Sequence, residues 1–95
     1  MRVVKIIRKS DKIEDSANII NQILRACEPT AENIKGYSEA AGILKGIRFW
    51  DEAAKSKLRE ARLRLLASQY DSKKGQVKNI IDPLFRQLIS GINKI

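Results

Sequence analysis

Apolar residues recur along this chain in steps of three and four, the period of a helix rather than of a strand. The longest such stripe, Ala40, Ile43, Ile47, Trp50, Ala54, Leu58, Ala61 and Leu65, contains no proline and predicts one amphipathic helix from Ser38 to Tyr70. Ser38 suits its N-cap, and Glu39 places a negative charge in the first turn, where the helix dipole favours it. Gly42 and Gly46 lie inside the stripe and each costs about 1 kcal/mol relative to alanine. A break there, with Asp51 capping a second segment, is the alternative. The stripe keeps its phase through both glycines, which favours continuity.

The flanking segments are shorter. Residues 2–8, RVVKIIR, are β-branched enough to favour a strand, while Val3, Ile6 and Ile7 also fit one helical turn. Asp11 reads as an N-cap with Glu14 three residues on, and Ile13, Ala17, Ile20, Leu24 and Cys27 then mark a helix over 11–27. Pro29 stops it, and Thr30 caps a short turn that ends near Gly36. After Tyr70, DSKKGQ reads as a polar turn. Val77, Ile80, Ile81, Leu84, Phe85, Leu88, Ile89 and Ile92 form the last amphipathic segment, in which the Asp82–Pro83 pair suits a helix start.

The expected fold is therefore all-α: one domain over 1–95, three to four helices built on the long helix 38–70, with a short N-terminal strand or arm over 1–9. At 1.5 Å per residue that helix would be about 50 Å long, with the first and last helices lining its stripe. Leu44, Phe49, Leu63, Leu66 and Tyr70 fall off the stripe and would be left exposed, so they are the expected interface of a homo-oligomer, a symmetric dimer or small ring.

Composition narrows the chemistry. The chain has 95 residues, one cysteine, no histidine and a net charge of +8. Cys27 therefore has no intrachain partner and no imidazole to activate it, which fits a reducing, cytoplasmic setting. No apolar run reaches the roughly 18 residues of a membrane span, and the start lacks the pattern of a signal peptide. Glu14 with Asp15 and Asp51 with Glu52 are adjacent acids, about 100° apart on a helix, and fit helix starts rather than a catalytic pair. The glycines form no phosphate-cradling motif, and the GxxxG of Gly42 and Gly46 reads as close helix packing. No enzyme activity, metal, cofactor, membrane or small-molecule substrate is expected.

The charge is unevenly placed: +4 over residues 1–12, −3 over 13–44 and +7 over 45–95. On the long helix Arg48, Lys55, Arg59 and Arg62 would share one narrow sector beside the apolar stripe, with Lys45 near them. Several cations along a rigid rod would track the phosphates of a nucleic acid, helped by Arg2, Lys5, Arg8 and Lys9. Aromatic residues are few and Trp50 belongs to the buried stripe, so stacking on single-stranded bases is not expected.

Residues 36–50, GYSEAAGILKGIRFW, resemble the opening of a recognition helix in some helix-turn-helix proteins, although its first turn offers only Glu39, Ala40 and Ala41 to base edges. Residues 2–27, read as a strand and a helix, resemble the front of a ribbon-helix-helix repressor. The sequence points first to a non-enzymatic nucleic-acid-binding protein that contacts mainly phosphates. The competing expectation is a helical homo-oligomeric structural or adaptor protein, a component of an assembly such as that of a virus or mobile element.

Overall fold

A computed structural model of the chain describes residues 13–94, and within them the fold is all-α. The helices are α1 (Ser16–Ala26), α2 (Ile34–Lys45), α3 (Glu52–Ala67) and α4 (Asp71–Lys94). The strand expected over 2–8, the Asp11 cap and the cations Arg2, Lys5, Arg8 and Lys9 lie outside the described residues.

Short loops make consecutive helices antiparallel neighbours. α1 packs on α2, α2 on α3, α3 on α4, and α4 closes the ring against α1. The loop contacts fix the directions. Gln69, just past α3, donates from Nε2 to the carbonyl of Cys27 just past α1, at 3.2 Å. At the other end, Ile13 ahead of α1 meets Gly91 near the end of α4. The result is an up-down-up-down bundle whose core takes Ile23 from α1, Leu44 from α2, Leu58 and Leu65 from α3, and Ile81 and Leu88 from α4, all fully buried.

The long helix expected over 38–70 is two helices. Gly46 ends α2, its N–H bonding back to the carbonyls of Gly42 and Ile43, and residues 47–50 are not helical. Asp51 then opens α3 in an extended conformation, its carboxylate accepting from the N–H of Ala54 at 3.2 Å. The glycines weaken the helix where Asp51 rewards a fresh start, and folding the chain back lets both apolar faces bury against each other, which one straight helix could not do. The stripe keeps its phase because Ala40 before the bend, Ile47 and Trp50 within it, and Ala54, Leu58, Ala61 and Leu65 after it all line the same core.

The break re-aims α2. Freed from α3, it turns Tyr37, Ala40 and Leu44 inward, and Leu44, expected at an oligomer interface, is 1% exposed in the core. Ile43, expected on the stripe, is only partly buried. Ser38 is mid-helix rather than a cap, and Gly36 lies inside α2 rather than ending a turn. The segment 36–50 therefore does not open a recognition helix. The start of α2 is organised instead by Thr30 and Asn33: Asn33 Oδ1 accepts from the N–H of Thr30 at 2.6 Å, and Thr30 Oγ1 accepts from the N–H of Asn33 at 3.3 Å.

Two other boundaries shift. α1 begins at Ser16, because Asp15 at φ 64° is left-handed and cannot continue a right-handed helix backwards. α4 begins at Asp71 and runs through Pro83, so DSKKGQ is helix rather than turn and Asp82–Pro83 is no start. The GxxxG reading also fails: a Cβ on Gly42 would meet nothing within 4 Å. The close approach falls at Gly36, where a Cβ would lie 2.9 Å from Ser68 Cβ.

Candidate nucleic-acid interface

The basic residues of α3 keep their helical spacing. Lys55, Arg59 and Arg62, at i, i+4 and i+7, share one flank of the helix, and an ion pair shows which neighbour that flank faces. Arg62 Nε lies 2.7 Å from Oδ1 of Asp82 on α4, and its Nη2 lies 3.4 Å from Oδ2. This two-point contact ties the second half of α3 to the middle of α4. The Arg62 guanidinium holds the Asp82 carboxyl below the usual carboxylate range against the opposing effect of burial, and Lys78 and Arg86 add to the lowering. Those two cations stand one turn either side of Asp82 on α4 and are exposed.

The α3–α4 seam thus gathers Lys55, Arg59, Arg62, Lys78 and Arg86 around two acids, Asp82 and the Glu52 that pairs with Lys55 at 3.1 Å. Arg59 is exposed and donates only to Ser56, at 3.4 Å. On the opposite flank of α3, Arg64 is taken up by Glu39 at 3.0 Å and Glu60 at 2.7 Å. Among the described residues the α4 side of α3 therefore carries three exposed cations outside any ion pair, Arg59, Lys78 and Arg86, where the α2 side of α3 carries Lys57, beside Gly42 and Gly46.

Lys45 and Arg48 are not brought to this face. Lys45 ends α2 and lines a groove with Ser16, Ala17 and Asn21 of α1, while Arg48 sits in the non-helical bend, out of phase with α3. Comparison of the chain with protein-family models, curated proteins and solved structures finds no match. The seam's chemistry must therefore be read from its own residues.

Lys78 and Arg86 are the members that the sequence reading missed. Their signal was present as Lys78, Asp82 and Arg86 in steps of four, but reading Asp82–Pro83 as a helix start hid the shared face. Among the described residues no group of histidine, cysteine and carboxylate side chains could hold a metal ion, and no helix is long and apolar enough to cross a membrane. Burial pushes the Cys27 thiol up to about 11, so at neutral pH it is a protonated core group. An open groove of about 700 Å³ between α1 and α4 is lined by Glu14, Asp15 and Lys94 and bordered by Arg86, which forms no ion pair with either acid, and its mixed charge does not suit a polyanion.

Of the residues expected at an oligomer interface, Phe49 and Leu63 are well exposed, at 65% and 62%. Leu66 packs against the core, and the hydroxyl of Tyr70, itself partly exposed, is bonded to Glu32. Phe49 lies in the bend and Leu63 three turns into α3, so these two large apolar side chains are separated along the rod rather than adjacent.

Proposed function

We propose that this protein is a non-enzymatic nucleic-acid-binding protein that contacts chiefly phosphates, with little sequence preference, through the α3–α4 seam. One observation carries this reading: the Arg62–Asp82 bridge draws two helices together so that exposed Arg59, Lys78 and Arg86 add to a single positive face. Cations held on rigid helices fit a polyanion's backbone, whose phosphates take most protein–nucleic acid hydrogen bonds and carry no sequence information.

Binding of labelled nucleic acid across a salt series tests it. Affinity should fall steeply as salt rises, and Arg59→Gln and Arg86→Gln should each flatten the slope of log affinity against log salt by about one unit while the helical circular dichroism spectrum stays unchanged. Failure to bind DNA or RNA even at about 50 mM salt would remove the reading. Arg62 is the wrong residue for this test, because its loss also strands Asp82.

The second reading, a helical homo-oligomer serving as a structural or adaptor component, is favoured by exposed Phe49 and Leu63. It expects an oligomer that persists through the same salt series and is broken by Leu63→Glu. A monomer by light scattering at tens of micromolar sinks it.

A further inference from the structure

Resting on the phosphate-binding reading above, we infer that the α3–α4 seam takes double-stranded rather than single-stranded nucleic acid. α3 and α4 are antiparallel, and Arg62 and Asp82 stand at the same level. Lys78 lies one turn beyond that level on one side; Arg59, Arg86 and Lys55 follow on the other. At 1.5 Å per residue this rail is about 16 Å long, close to five base-pair rises of 3.4 Å.

The rail is also stiff. Its cations sit in helix interiors, and the two helices are joined both by the ion pair and by the core beneath it, where Leu58 and Leu65 of α3 and Ile81 and Phe85 of α4 are buried. A rigid charge pattern is best matched by a partner whose phosphates are already ordered. A duplex provides that, along with one charge per about 1.7 Å of axis. A single strand must first be straightened, and proteins that bind single strands offset this by stacking successive bases on aromatic rings. This face has none. Trp50 and Phe85 are buried, Tyr37 packs on the core, and Tyr70 is bonded to Glu32. Phe49, the remaining ring, stands in the bend before α3, one aromatic rather than a platform.

The partner is therefore a DNA or RNA duplex, and the test separates the two sources. Affinities of the full chain are measured by anisotropy for a DNA duplex of about 20 base pairs, an RNA duplex of the same sequence, one DNA strand and one RNA strand, between about 50 and 200 mM salt. The expected result is a duplex preference of at least about tenfold, with a duplex salt slope near −3 for the three phosphates met by Arg59, Lys78 and Arg86. The Arg59→Gln, Arg86→Gln double variant should abolish most of that preference, and Phe49→Ala should leave it intact. A single strand that binds within tenfold of both duplexes, or duplex binding that depends on Phe49, overturns the inference while leaving phosphate binding in place. Absence of binding to all four probes overturns the phosphate reading itself, and the duplex inference with it.

Discussion

Identical residues carry opposite demands in this protein, and the glycines show it most directly. A Cβ at Gly36 would lie 2.9 Å from Ser68 Cβ and 3.6 Å from the Arg64 carbonyl, so Gly36→Ala must push α2 off α3; at Gly42 the same methyl meets open space. Gly36→Ala should destabilise by about 1–3 kcal/mol, an overpacking effect that outweighs the gain in helix propensity, whereas Gly42→Ala should stabilise by up to about 1 kcal/mol. Urea midpoints for the two variants check both signs. Neither could be read from the chain, because the GxxxG spacing drew attention to Gly42 and nothing local marks Gly36 as the position facing Ser68. Cys27 behaves as its sequence environment implied, a buried core group with its thiol pushed up to about 11. Thiol reagents should modify it slowly in the folded protein and rapidly in denaturant. Since the folded form favours the neutral thiol, its contribution is complete at pH below about 8.5 and is lost as pH rises toward 11.

At the scale of elements, the sequence carried the apolar faces better than the boundaries between them. All-α class, a final amphipathic helix and the burial of Trp50, Leu58 and Leu65 were legible, because a 3.6-residue period needs no tertiary knowledge. The bend at 47–50 was not, since both faces it separates look inward on the same core, and so the stripe continues in phase across it. Gly46, which ends α2, and Asp51, which caps α3, are the local marks of the break. The Asp51 carboxylate accepts from the N–H of Ala54, and Asp51→Ala should cost about 1 kcal/mol, seen as a lower thermal midpoint, with Asp51→Ser recovering most of the loss. In α4 the error ran the other way. Pro83 invites a boundary, yet flanking Val77, Ile81, Phe85, Leu88 and Ile92 bury one continuous face, and that packing outweighs the hydrogen bond a proline cannot make.

For the whole molecule, the consequence of these shifts is that the basic surface belongs to two helices instead of one. Of the cations assigned from sequence to a single ridge, Lys55, Arg59 and Arg62 remain together, Lys45 and Arg48 depart, and Lys78 and Arg86 arrive from the next helix. Periodicity along one segment cannot report such a meeting, which depends on how helices pair. The bridge at its centre has a pH signature. Because Asp82 is held below the usual carboxylate range, the stability it contributes is complete above about pH 4 and fades as pH falls through its lowered value. Asp82→Asn should therefore cost about 1 kcal/mol at pH 7 and progressively less toward pH 2, read from urea melts at the two pH values. The bend offers one more use. The chain's single tryptophan, Trp50, is 4% exposed there and lines a groove with Ile20 of α1 and Leu44 of α2, so one indole sits where three helices converge. Its emission is a built-in optical gauge of that joint: loosening the bend would admit water and shift the fluorescence to the red before the far end of the bundle had changed at all.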